Sequence, residues 1–139
     1  MRLRDGTVVA GGGAAHVVAY VGHNRWMDRP DFRWESLARA PAGRPKGTIA
    51  IACHTLAYLG RPVPAPGRVP LALTADFLFA GSHALEGAVN AVAAGASYAA
   101  IRAGITRGYA EGQGQPVGRV RGLFTNPSDP RYRRAVPAS

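Results

Sequence analysis

His16-Val-Val-Ala-Tyr-Val-Gly22 and Gly47-Thr-Ile-Ala-Ile-Ala52 are the two stretches on which the fold turns. Each is a short apolar run rich in β-branched residues. Such runs read as strands buried on both faces, the pattern of a parallel sheet. His23 follows the first run, and Cys53, the only cysteine of the chain, follows the second. In open α/β sheets, functional groups gather just past the carboxyl ends of the strands.

Working outward, Val69-Pro-Leu-Ala-Leu-Thr74 reads as a third strand, with Ala75 and Asp76 at its carboxyl end. Pro70 then belongs at a strand start or on an edge. The polar segment 24–46 predicts a short helix around 31–39, capped by Asp31, with Trp26, Phe32, Trp34 and Leu37 toward the sheet. Thr55 to Leu59 predicts a short helix beginning near the cysteine and stopped by Gly60 and Pro62. Ser82 reads as the cap of a helix to about Ala94, with Leu85, Ala88, Val89 and Val92 as its apolar face and Gly95 as its end. Ser97 caps another, Tyr98 to about Glu111, with Ile101, Ile105 and Tyr109 on one side. Gly104 and Gly108 weaken it by helix propensity. Val120 to Thr125 predicts a last short element docked on the core.

At the start, Thr7 to Ala10 reads as a small strand and Gly11-Gly12-Gly13 as a turn. A dinucleotide fingerprint would require a helix after the glycines, and a strand follows instead. Strands alternating with helices give an α/β fold with a mostly parallel sheet and flanking helices. Right-handed crossovers would set consecutive strands side by side. Residues 1–125 form one predicted domain, and 126–139 a loose basic tail.

The chain has 139 residues, 47% of them hydrophobic and 18% charged, which suits one globular domain with a real core. Its formal charge of +9 raises nucleic acid as a partner. The basic residues are scattered arginines, however, with Lys46 the single lysine and no aromatic–basic interleaving for base stacking. No nucleic-acid partner is therefore expected. No apolar run approaches the roughly 18 residues of a spanning helix, so no membrane partner is expected either. A signal peptide would consume the His16–Gly22 strand, which argues against one. A single cysteine rules out an intramolecular disulfide framework and makes a cytoplasmic location the expectation.

A histidine beside a cysteine takes its proton and leaves the nucleophilic thiolate. His23 and Cys53 at neighbouring strand ends therefore suit acyl transfer, with His23 as base and Cys53 as nucleophile. Backbone N–H groups of the two loops, those of Asn24 and Cys53, would hold the oxyanion. Asp28 and Asp76 are candidates for recognising a basic substrate side chain.

Val17-Val-Ala-Tyr-Val-Gly-His23, a polar spacer, and Thr48-Ile-Ala-Ile-Ala-Cys53 resemble the caspase-like (caspase–hemoglobinase) fold of cysteine peptidases. That group includes the gingipains, clostripain and the bacterial CHAT domains. Ala52-Cys53-His54-Thr55 is similar to the Ala-Cys-Glu-Thr of many CHAT domains. The resemblance spans roughly residues 16–75. It implies a partial caspase-like fold, a His23/Cys53 dyad working through an acyl-thioester, a peptide or protein substrate and no cofactor.

Three features depart from that family. Asn24 stands where it usually has glycine. The spacer between His23 and Cys53 is short, at 29 residues. The family sheet normally carries two strands before the histidine strand, whereas about 15 residues precede it here. A start further upstream, an incomplete sheet, or strands borrowed from a partner would each account for this; the exposed sheet edge left by missing strands would suit homo-oligomers.

Two other readings stay open. One is a zinc site built from His23, Cys53 and His54, with Asp76 or His83 as a further ligand. The other is a catalytically silent α/β scaffold or protein-interaction module, presenting the Ser82–Glu111 helices or the sheet edge.

Overall fold

The computed structural model describes residues 2–8, 15–29, 45–60, 68–79 and 81–136. The predicted 31–39 helix, its cap Asp31 and the triple glycine lie outside them. The three strong apolar runs are strands β1 (Val17–Val21), β2 (Lys46–Ile51) and β3 (Arg68–Thr74). They lie side by side in chain order, all parallel. Val17 pairs with Gly47 and Val21 with Ile51. A two-residue strand, β4 (Phe124–Thr125), runs antiparallel on the far side of β3. The molecule is thus α/β with an open, mostly parallel sheet and flanking helices.

Pro70 lies inside β3 rather than at its start. It is tolerated there because β4 reaches only Leu73 and Thr74. On the β2 side, the register moves from Thr48–Pro70 to Ile49–Ala72, leaving Leu71 as the extra residue of a bulge. The Leu71 carbonyl accepts the side-chain amide of Asn126 (2.9 Å). The same amide nitrogen donates to Tyr98 O (2.7 Å), while the Asn126 Oδ1 takes the backbone N–H and hydroxyl of Ser128. Asn126 is fully buried with both ends of its amide satisfied.

Helix α1 (Thr55–Leu59) follows the cysteine loop. Thr55 lies buried at its start and donates its hydroxyl to Ala50 O, while accepting the Thr74 N–H. One side chain thereby ties the end of β2 to the end of β3. Helices α2 (Ser82–Ala93) and α3 (Tyr98–Gly112) form an antiparallel hairpin against the sheet. Gly81, not Ser82, is the N-cap of α2, and Ser97 caps α3 as the sequence predicts, its hydroxyl accepting Ala100 N–H. Both helices end in Schellman turns. Ala96 N–H returns to Ala91 O and Gln115 N–H to Ala110 O, with Gly95 and Gly114 in the left-handed region that closes each turn.

Ile101, Ile105 and Tyr109 of α3 enter the core with Ile49, Ile51 and Phe124. On α2 the buried residues are Ala84 and Ala88, while Val89, predicted on the apolar face, is exposed. Helix α3 packs closely against another face of α2. Gly87 meets Gly104, and His83 meets Gly108, with backbone against backbone. The glycines that cost α3 helix propensity are what allow the hairpin to close.

Helix α4 (Val117–Val120) leads into β4, and α5 (Pro130–Ala135) follows it. The segment predicted as a loose tail therefore holds a helix among the described residues. Asp129 is its N-cap, accepting Arg131 N–H (2.8 Å), and Pro130 stands at the first helical position. The buried carboxylate also accepts Arg131 Nη2 (2.7 Å) and Arg102 Nη1 (3.2 Å). The guanidinium hydrogen bonds of Arg131 hold the Asp129 carboxyl below its ordinary range, helped by the Arg131 N–H and the charges of Arg131 and Arg102, and opposed by burial.

A carboxyl whose folded pKa is depressed contributes stability above its unfolded pKa of about 3.9 and loses it as pH falls through the folded value. Asp129→Asn is expected to flatten the acid limb of the stability profile below about pH 4. Urea unfolding measured between neutral and acid pH checks this. An acid limb identical to that of the parent chain would remove Asp129 from the account.

Candidate functional site

The sheet brings the two singled-out loops together. His23 lies two residues past β1 and Cys53 two residues past β2, and these strands pair directly. Asn24 locks the loops to each other. It is almost fully buried, and its side-chain amide donates to Cys53 O (2.5 Å). Its Oδ1 accepts Trp26 N–H (3.2 Å), capping a 3-10 turn over Arg25–Met27. Sequence reading singled out the Asn24 backbone N–H; in the fold, its side chain is the evident structural link. A glycine at this position would have no such bond to make.

The His23 loop is held from outside as well. Tyr20, exposed on β1, donates its hydroxyl to His23 O (2.8 Å). The 3-10 turn returns the chain so that Asp28 faces the imidazole, and His23 Nε2 lies 2.7 Å from Asp28 Oδ2. Asp28 is thus engaged with His23. Both side chains are well exposed, at 65% and 59%, so water screens the pair and it contributes little to stability. Its consequence is orientation, since one ring nitrogen is occupied by Asp28.

Cys53 is half-buried, and its thiol donates to Leu78 O (3.5 Å) in the loop after β3. The structure therefore pairs the His23 side chain with Asp28 and the Cys53 side chain with a carbonyl, and not with each other. His54 takes the left-handed conformation between Cys53 and α1 (φ 54°). Its backbone N–H reaches Asp76 O (3.2 Å), and its ring stands edge-on to Phe77 (centroids 4.4 Å apart). The Asp76 carboxylate accepts Phe77 N–H (2.8 Å) and is exposed beside the cysteine loop. Phe79 N–H is held by the Tyr109 hydroxyl (3.1 Å). The loop that receives the thiol is thus anchored at three points, while Phe77 and Phe79 project into solvent.

Among the described residues, no three of His, Cys, Asp and Glu stand close enough to share a metal ion. His54 faces Phe77, and His83 lies against Gly112. No helix among the described residues is long and apolar enough to cross a membrane.

Sequence reading found the histidine, the cysteine and their strand ends. It missed the buried Asn24 amide, the His23–Asp28 pairing and the Leu78 carbonyl. The Asn-x-x-x-Asp spacing of Asn24 and Asp28 was legible as a turn signal, since Asn at a turn start caps the residue two positions on. Nothing local to Leu78 marks it. No protein-family model matches the chain, and comparison with curated proteins and with solved structures gives no match.

Proposed function

We propose that the chain is a cysteine peptidase-like hydrolase acting on a peptide or protein substrate, with Cys53 as nucleophile and His23 as base. The observation that carries the reading is the Asn24 side chain bonded to Cys53 O, which holds the histidine loop against the cysteine loop at adjacent parallel strand ends. The His23–Asp28 pair adds to it, because a carboxylate on one ring nitrogen orients the other.

In this reading the Cys53 side chain rotates from Leu78 O toward the imidazole, which takes the thiol proton. The thiolate adds to the substrate carbonyl carbon, and the resulting oxyanion is held by the backbone N–H groups of Asn24 and Cys53. The imidazolium gives its proton to the departing amine, and the C–N bond breaks to leave a thioester. Water then attacks that carbonyl, His23 takes its proton, and the thiol is regenerated as the acid product leaves.

A second reading, the catalytically silent scaffold or interaction module, is favoured by the Cys53 thiol bond to Leu78 O and by the exposed Val18 and Tyr20 on β1, the outer strand of the sheet among the described residues.

Labelling with an electrophilic peptide probe separates the two. The expected result is modification of Cys53 far faster than of a free thiol, lost in Cys53→Ala and slowed about 100-fold or more in His23→Ala. Asp28→Asn is expected to slow it less, since it removes an orienting group and not the base. Labelling at the rate of a free thiol, unchanged in His23→Ala, would sink the hydrolase reading and leave the scaffold.

A further inference from the structure

Helix α3 carries a second stripe besides the one that enters the core. Arg102 and Thr106, and beside them Ala103 and Arg107, lie four residues apart on it. They wall a cleft of about 670 Å³ whose other sides carry Arg121, Asp129 and Arg131. Neither Cys53 nor His23 lines it, so the inference is independent of the hydrolase reading.

Four guanidiniums and one carboxylate share this concave surface. Asp129 is bonded to Arg131 and Arg102 and offsets one positive charge. Arg131 is further fixed by donating to Gly122 O (2.6 Å). The Nε–H of Arg102 is buried without an acceptor, so Asp129 does not complete the bonding of that guanidinium. Arg107 and Arg121 are exposed. Three uncompensated positive charges are therefore gathered around one cleft by a rigid helix and a capped turn. Bringing them together is unfavourable in the free protein and is relieved by a bound anion.

We propose that this cleft binds a small phosphorylated anion of the pyrophosphate class. Guanidinium forks match phosphate oxygens two at a time, and a diphosphate carries enough charge to answer three arginines. The cleft has the size of a small-molecule site. Its described lining contains no aromatic ring on which a base would stack, so the phosphates rather than a nucleobase are what it recognises.

The test is calorimetric titration of the full chain with sodium pyrophosphate, ATP, citrate and a single-stranded oligonucleotide at fixed ionic strength. The expected result is saturable one-site binding of pyrophosphate, with ATP no tighter and citrate at least about tenfold weaker. The Arg107→Gln/Arg121→Gln double variant is expected to keep its thermal midpoint, since both side chains are exposed, and to lose about tenfold or more in pyrophosphate affinity. Arg107→Glu alone gives the same direction as a second variant. ATP binding tighter than pyrophosphate would overturn the phosphate-only recognition, and tighter oligonucleotide binding would assign the cleft to nucleic acid. Absent saturable binding, citrate as tight as pyrophosphate, or unchanged affinity in the variants would each overturn the site.

Discussion

Gly108→Ala is expected to destabilise the protein by about 2–3 kcal/mol, against the direction that helix propensity gives. Alanine is the better helix former by about 1 kcal/mol, and on an isolated helix the change would stabilise. Here a Cβ on Gly108 would collide with the His83 carbonyl oxygen, and that atom is backbone of the packed α2. It cannot rotate away. The same holds one turn earlier, where a Cβ on Gly104 would lie 2.7 Å from Gly87 O. The hairpin would have to open, and the burial of Ile101 and Ile105 behind it would loosen. Urea unfolding measures the loss. Gly118→Ala is the control, because a Cβ there meets nothing within 4 Å; it is expected to be neutral or slightly stabilising. If the two variants changed stability alike, the close approach of α2 and α3 would not be the reason for the glycines.

The second large effect is expected at Asn126. Asn126→Asp is isosteric, yet it turns the two N–H donors that face Leu71 O and Tyr98 O into an acceptor. A buried carboxylate would then confront two carbonyl oxygens with no donor between them. Removing the right partner from a buried charge costs about 3–5 kcal/mol, and that is the expected loss at neutral pH. The pH dependence has a definite sign. Burial and the facing carbonyls raise the folded pKa of the introduced carboxyl, so its protonated form is favoured in the fold. The deficit is therefore largest at neutral pH and shrinks as pH is lowered through that raised value. Chemical unfolding at neutral and mildly acidic pH, compared with Asn126→Ala, checks both size and sign. An Asn126→Asp midpoint equal to that of the parent chain would show that Asn126 does not hold the bulge, the helix start and the final turn together.

These two positions show where sequence reading reaches its limit. Local propensity marks Gly104 and Gly108 as weaknesses and leaves Asn126 at the start of a polar tail. Their roles depend on residues far along the chain: His83 for Gly108, Leu71 for Asn126. Asp129 is similar, since its partner Arg102 comes from another helix. In the candidate site, the role of the Asn24 side chain is not legible locally because its acceptor is Cys53 O, 29 positions away. The pairing of Asp28 with His23 is not legible locally because the 3-10 turn that brings it there depends on the Asn24 cap.

By itself the sequence determined the three parallel strands, their order, the two long helices and the strand-end positions of His23 and Cys53. Those follow from apolar periodicity and from glycine and serine signals, which are properties of contiguous residues. Only the tertiary structure decided what closes the α2–α3 hairpin, what satisfies the β3 bulge and which partners His23 and Cys53 take. It also gathered four scattered arginines around one cleft. Each of these is a contact between distant segments, fixed by sterics and hydrogen-bond geometry that appear only once the sheet and helices have packed.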